Sequence, residues 1–482
     1  MIAADAPIYR LGEFHSFSAA GRHLLYLVPA GAIFEADAAV QTVIDRVAAG
    51  EASHDQLTAE LGAASLSASE ADELIAELYR SRVIVTGDLP PEPLQDAPEN
   101  FPLQTLVLNL TNQCNLSCQY CYEFGADKVA TPGGKPKFMD FETARTSVDF
   151  LLEQSGGRGM VHITFFGGET LMNFPLLEKV VAYARKRVEG QGRSVDFSLT
   201  TNATLLTPAI IEFLSENRIG VTVSMDGPAE LHDKLRVFSN GRGSYDTIAP
   251  RVRALIQNHR TRPITARVTL TSGVTDVVRI FRHLKNDLGF HEVGFAPVTT
   301  SPNRLYAIND RGMDDVLAQF HVLADEYLEY ALRGEMHGFS NVSDTLSELY
   351  QGVNKSHPCG AALGLVGVGP SGDIAPCHRF VDSDTHSMGN ISSGIDREKQ
   401  KDFLRRGHIN SKYECHTCWA RPLCAGGCHH EAYVRYGDTG HPNLHYCDWI
   451  RDWTDTCLRI YGAISIHNPE FLRFFAERKV PS

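Results

Sequence analysis

Eleven cysteines fall in two tight groups, and that spacing limits what this chain can become more than any other feature. None lies in the first 113 residues. Three sit at Cys114, Cys118 and Cys121, and eight fall between Cys359 and Cys457. Such clusters, with no export signal beside them, read as metal sites rather than disulfides. The opening residues, MIAADAPIYRLGEF, carry neither a basic start nor the apolar stretch of a signal peptide. No window approaches ~20 apolar residues free of charge, so no membrane span is expected. These features predict a cytoplasmic protein. A net charge of −13 argues against general nucleic-acid binding, which needs a positive field.

At 482 residues the chain suits about two to four domains. The first block, residues 1–95, has strand-like alternation at 8–14 and 22–27, then helical periodicity at 33–48, 53–61 and 67–81. Ser67 with Glu70 three residues on is a capping-box pattern. A short apolar strand at 82–86 completes a small winged-helix-like module. Residues 88–102, rich in Pro, Asp and Glu, read as a linker. The second block, 103–335, alternates short apolar strands (105–109, 161–166, 196–200, 220–224, 266–271) with helices (141–154, 174–189, 208–217, 243–257). That pattern predicts an α/β domain around a parallel sheet, open or closed into a TIM-type barrel, with its chemistry at the strands' C-terminal ends. The third block, 340–482, is rich in Cys, Gly and His and has few long periodic segments. Metal is expected to hold it together.

The first cysteine group follows a predicted strand and reads NLTNQCNLSCQYCY, a C-x3-C-x2-C spacing. Three thiolates on one loop can hold three irons of a [4Fe–4S] cube and leave the fourth open. Zinc is the alternative, but it prefers four closed ligands with a C-x2-C arm on each side. With Tyr120 in the aromatic position, the segment resembles the signature of the radical S-adenosylmethionine (SAM) superfamily. The resemblance implies a partial (β/α) barrel. It also implies that SAM binds the open iron and is cleaved to a 5′-deoxyadenosyl radical. Further motifs fit at predicted strand ends. Gly167, Gly168 and Glu169 lie in FGGET, similar to the family's Gly-Gly-Glu-Pro motif for the SAM amino group, with Thr170 in place of the proline. Thr201 and Asn202, in LTTN, would reach the ribose or methionine. Ser224 and Arg236 match the positions that contact SAM in peptide-modifying relatives, and Arg suits a carboxylate. Asp226, Gly227 and His232 read as loop structure.

In the third block, Cys359 is followed by a G-x4-C unit ending at Cys377. Then come Cys415-x2-Cys418-x5-Cys424-x3-Cys428 and Cys447. This resembles the SPASM extension of radical SAM enzymes that mature peptides; zinc knuckles are the alternative. The resemblance implies one auxiliary cluster on Cys415, Cys418, Cys424 and Cys447 and another on Cys359, Cys377 and Cys428, for three [4Fe–4S] clusters in all. Cys457 reads equally as a further ligand or as a core thiol, at helical spacing from Trp449 and Trp453. His378 stands where sulfatase-maturing relatives carry an Asp base. That difference counts against formylglycine formation and leaves His378 a candidate catalytic group.

The layout resembles most the maturation enzymes of quinohemoprotein amine dehydrogenase, with a similar Cys-His-Arg-Phe run at 377–380. That likeness implies Cys-to-Asp or Cys-to-Glu thioether cross-links in a small protein substrate. It also implies a leader segment docked on the first block and an electron donor such as flavodoxin or ferredoxin. Another radical peptide maturase, making carbon–carbon links or epimers, is the nearest alternative. A non-catalytic zinc scaffold is the alternative from a different class.

Overall fold

The computed structural model describes residues 7–87, 101–131 and 133–476. Most of the Pro-rich linker and the first six residues lie outside these. The N-terminal part builds two small sheets. Strand β1 (Ile8–Leu11) pairs antiparallel with β5 (Ala52–Ser53) and β6 (Ile84–Thr86). Strands β2 (Phe14–Ala19), β3 (Arg22–Leu27) and β4 (Ala32–Glu35) form an antiparallel meander. Helices α1 (Ala38–Ala48), α2 (His54–Ala63) and α3 (Ala68–Arg80) complete it. The capping box of Ser67 and Glu70 starts α3.

Two expectations change here. Residues 8–14 are not one strand. Gly12 packs so tightly on the 82–83 backbone that a Cβ would lie 1.8 Å from the Arg82 carbonyl oxygen, and the chain passes there from one sheet to the other. Residues 33–48 are not one helix either. β4 pairs with β3, and Asp37 then caps α1 by accepting from the Val40 amide.

Six parallel strands follow: β7 (Thr105–Asn109), β8 (Met160–Phe166), β9 (Ser194–Thr201), β10 (Gly220–Ser224), β11 (Ile264–Leu270) and β12 (Glu292–Pro297). They are separated by α4 (Phe141–Gln154), α5 (Phe174–Val188), α6 (Pro208–Glu216), α7 (Ala229–His232), α8 (Tyr245–Asn258) and α9 (Val277–Arg282). β12 was not anticipated; its ending in Ala-Pro and its central Gly294 weaken the apolar pattern. Among the described residues β12 and β7 do not pair, so the sheet is a partial barrel. One face is apolar: Ile264, Ala266, Val268 and Leu270 of β11 are all fully buried in the main core. The alternate residues face the barrel's interior.

After α10 (Asp310–Leu332) and α11 (Ser340–Tyr350), β13 (Leu365–Val368) joins the same sheet, parallel to β7, and β14 (Ile374–Ala375) returns antiparallel. Short helices α12 (Arg397–Gly407), α13 (Arg421–Cys424) and α14 (His429–Tyr436) carry the cysteine-rich segment. α15 (Cys447–His467) then packs against α10, α11 and β2. Gly462 lets β2 and β3 approach α15, since a Cβ there would lie 2.6 Å from a Leu24 methyl. No helix among the described residues is long and apolar enough to cross a membrane.

Candidate functional site

The first three cysteines lie on the loop after β7, at the C-terminal end of the sheet. Its backbone is fixed without its thiols. Ser117 N donates to Val237 O (2.7 Å), Gln119 N to Leu235 O (3.2 Å) and Gly125 N to Cys121 O (2.7 Å). The turn after β8 packs directly on this loop. Gly168 N donates to Thr111 O (3.0 Å) and Glu169 N to Gln113 O (2.9 Å). A Cβ on Gly167 (φ +126°) would lie 2.3 Å from Thr111 O, and one on Gly168 would lie 2.3 Å from Gln113 O. Both positions therefore demand glycine, and the close approach they permit is to the cysteine loop.

Glu169 is buried, yet its carboxylate is well supplied. Thr201 Oγ1 (2.7 Å), Asn202 N (2.7 Å) and Leu171 N (3.1 Å) all donate to it. Burial raises its pKa, and these donors offset part of the rise. Thr201 also accepts from Ala203 N (2.9 Å). Asn202 Nδ2 reaches Asn115 Oδ1 (3.0 Å) and lies 3.8 Å from Cys114 Sγ. Asn202 thus ties Glu169 to the cysteine loop, while Thr201 fixes the carboxylate from the end of β9.

Arg236 is also engaged. Its Nε donates to Asp226 (2.8 Å), and its guanidinium lies 5.4 Å from the Tyr120 ring centre. Tyr120 donates to the same Asp226 oxygen at 2.5 Å, and Thr269 N donates to the other at 2.9 Å. Asp226 therefore organises this side of the site, a role that its place in a loop motif gave no sign of. Ser224 ends β10 beside Arg267 of β11.

A second unanticipated residue is Asp127. It accepts from Thr300 (2.5 Å), Ser301 (3.0 Å) and Arg304 (2.8 Å), bridging the loop after β7 to the loop after β12 across the unpaired side of the barrel. Against the burial that would raise it, these donors hold its carboxyl down to about 2.

Six later cysteines, Cys359, Cys415, Cys418, Cys424, Cys428 and Cys447, line one cavity of ≈ 420 Å³. Cys377 is not on its wall but lies within electrostatic reach of Cys359 and Cys428. Burial pushes the thiols of Cys114 and Cys377 up to about 12, and those of Cys121, Cys359 and Cys415 to about 11. Grouped thiols that stay protonated at neutral pH are poor nucleophiles, but a metal deprotonates its thiol ligands outright. Among the described residues no three Cys, His, Asp or Glu side chains converge as ligands of a single ion would. A four-iron cube takes one thiolate at each corner, so it suits a looser grouping. The donor set fits iron–sulfur clusters.

Cys457 stands apart. It is fully buried on α15, with Thr345 and Glu348 of α11 as its electrostatic neighbours and no cysteine among them. The structure thus places it as a core thiol. Cys457→Ala should keep its full complement of iron and lose only about 1–2 kcal/mol of stability through the small void. Metal analysis with denaturant unfolding checks both; a drop in iron would return it to the ligand set.

His378 is wedged 4.5 Å from the Phe166 ring and 6.0 Å from the Tyr122 ring. Burial, then the neighbouring Arg379, lowers its pKa to about 3, so its imidazole is neutral at physiological pH.

Residues 108–302 match the Radical SAM superfamily. Over 373 residues the chain is 26% identical to the serine-type anaerobic sulfatase-maturating enzyme of Bacteroides thetaiotaomicron, covering 73% of this chain and 88% of that one. Over 142 residues it is 37% identical to an uncharacterized protein of Methanocaldococcus jannaschii, covering 30% of this chain and 45% of that relative, under half its length. The fold is similar to that of anSMEcpe with bound AdoMet, with a TM-score of 0.64, 22% identity, and 76% of this chain and 100% of that one covered. A cysteine loop at the C-terminal end of a parallel partial barrel, inside a matched superfamily segment, identifies the chain as a radical SAM enzyme.

Proposed function

We propose that this radical SAM enzyme matures a peptide or small protein, forming Cys-to-Asp or Cys-to-Glu thioether cross-links in a substrate such as the small subunit of an amine dehydrogenase. The observation that carries the maturase reading is the thiol-lined cavity of the third block. Six cysteines lining one cavity would supply ligands for auxiliary clusters that a radical SAM domain alone does not need. The sulfatase-maturating relative acts, by its name, on a protein, which supports the same substrate class.

In this reading residues 1–95 are a winged-helix-like recognition domain for a leader, 103–335 the radical SAM barrel and 340–482 a SPASM domain. Cys114, Cys118 and Cys121 would hold the SAM-binding cluster. Cys415, Cys418, Cys424 and Cys447 would hold one auxiliary cluster, and Cys359, Cys377 and Cys428 the other. With SAM bound, the first cluster would supply a 5′-deoxyadenosyl radical. The chain's own residues position and enclose. Glu169, held by Thr201 and Asn202, offers a fixed carboxylate to an ammonium. The Asp127 clamp ties the loop after β7 to the loop after β12, and Ser224 stands at the end of β10 beside Arg267. Flavodoxin or ferredoxin would deliver the electron.

The test is anaerobic. About twelve irons per chain, with 5′-deoxyadenosine formed from SAM and dithionite, is the expected result for three cubic clusters. A candidate substrate carrying its leader should lose two hydrogens per cross-link. Unchanged product mass with an inverted residue would replace the thioether reading with epimerisation. Zinc without iron would end the radical reading altogether.

A further inference from the structure

Arg236 is neutralised by Asp226, but one strand away a guanidinium has no such partner. Arg267 lies on β11 with Ser224 as its register neighbour on β10 and Gly294 on β12. It points to the face opposite the apolar core, where its surface is open although β11 is a central strand and the surrounding protein is close enough to desolvate its charge. Only the barrel's interior can provide that exposure. A Cβ on Gly294 would lie 2.5 Å from Ser340 Oγ and in ordinary contact, at 3.4 Å, with Arg267 Nη1, so the glycine admits Ser340 of α11 close beside the guanidinium.

Among the described residues no carboxylate lies within ion-pair distance of Arg267, although Asp344 is in electrostatic reach. Its near neighbour in charge is a second guanidinium, Arg379, which arrives from the segment after β14. Arg379 donates to Thr299 Oγ1 (2.9 Å) and lies 5.0 Å from the Tyr122 ring centre. Burial first, and Arg379 second, push Arg267 below its ordinary pKa. Arg379 has anionic neighbours of its own in Cys428, Tyr122, Cys377 and Glu431, so the guanidinium left wanting an anion is Arg267. A guanidinium's planar fork matches a carboxylate, and Arg379 lies within electrostatic reach to add to its pull.

We propose that Arg267, backed by Arg379, is the receptor for a carboxylate in the chamber between the loop of Cys121 and the cysteines of the third block. Two carboxylates could seat there. One is SAM's own, given Ser224 alongside; the other is the acidic side chain of the substrate. The second would explain how an Asp or Glu is selected for cross-linking. The ligand's identity rests on the radical-maturase reading, but binding is read without turnover, so the two can fail separately.

The experiment uses anaerobic holoenzyme and phenylglyoxal, with adducts at Arg267 mapped by peptide mass spectrometry. Without ligand Arg267 should label. SAM should slow labelling about tenfold, the worth of a charge-assisted hydrogen bond, if its carboxylate is the one held. If SAM does not protect, N-acetylglutamate should, in the presence of SAM, and its neutral isostere N-acetylglutamine should not. In Arg379→Gln, with iron content unchanged, most of the protection should disappear. Three results would overturn the proposal: no labelling of the free enzyme, no protection by either carboxylate, or equal protection by the glutamine probe. Full protection retained in Arg379→Gln would overturn the paired receptor.

Discussion

Cys118→Ala should abolish 5′-deoxyadenosine formation while leaving the chain folded and the auxiliary centres loaded. Loss of an outer-shell partner alone costs ~10–100-fold in metal affinity or activity, so loss of a ligand should cost more than ~100-fold. The fold should survive because the loop is anchored by main-chain bonds from Ser117, Gln119 and Gly125, none of which uses a thiol. The proposed auxiliary centres should survive because six of the seven cysteines assigned to them line a separate cavity, walled by residues of the third block and Pro297. Iron per chain should therefore fall by about one cube's worth rather than to zero. Circular dichroism and iron analysis on the same sample give the structural half of the result. Chromatography of the SAM cleavage products gives the chemical half. Undiminished deoxyadenosine from the variant would show that these three cysteines are not the SAM-binding site.

That prediction rests on residues legible in the sequence, because the proposed cluster ligands are local. C-x3-C-x2-C puts three thiols on one loop whatever the rest of the chain does. The same holds for β10, whose bounds follow from a short apolar run between helical stretches. What the sequence hid was long-range pairing. Thr201 and Asn202 read as groups free to meet a ligand, yet they bind Glu169 more than thirty residues away. Arg236 reads as a contact for SAM, yet Asp226, in the same motif, claims it. Asp127 carried no signal at all, because its partners Thr300, Ser301 and Arg304 come from the far side of the barrel. Arg267 is the converse. In the sequence it is one charge in an apolar strand, and only the register shows that it faces a chamber beside Gly294.

The same register lesson gives the largest stability effect expected outside the metal centres. Asp226 is almost fully buried and accepts from Tyr120, from Arg236 and from Thr269 N. The loop around it closes on itself. Asp226 N donates to His232 Nδ1 (3.2 Å), which places the imidazole proton on Nε2, 2.9 Å from Ser244 Oγ. Ser244 then donates to Arg236 O (2.8 Å). Burial holds His232 down to about 3, so the ring stays neutral and does not compete with Arg236 for the carboxylate. Asp226→Ala would leave a buried guanidinium unpaired and should cost about 3–5 kcal/mol, as breaking buried ion pairs does. Asp226→Asn keeps an oxygen for Tyr120 but loses the charge, so its cost should fall between parent and Ala. Because Arg236 lies within electrostatic reach of Cys118, both variants should also load less iron on the first loop than on the third block. Denaturant unfolding of the anaerobic proteins measures the first effect, and electron paramagnetic resonance of the separate clusters measures the second. An Asp226→Ala protein within about 0.5 kcal/mol of the parent, the usual range for an inconsequential surface change, would mean that Arg236 finds another anion and that Asp226 does not organise the site.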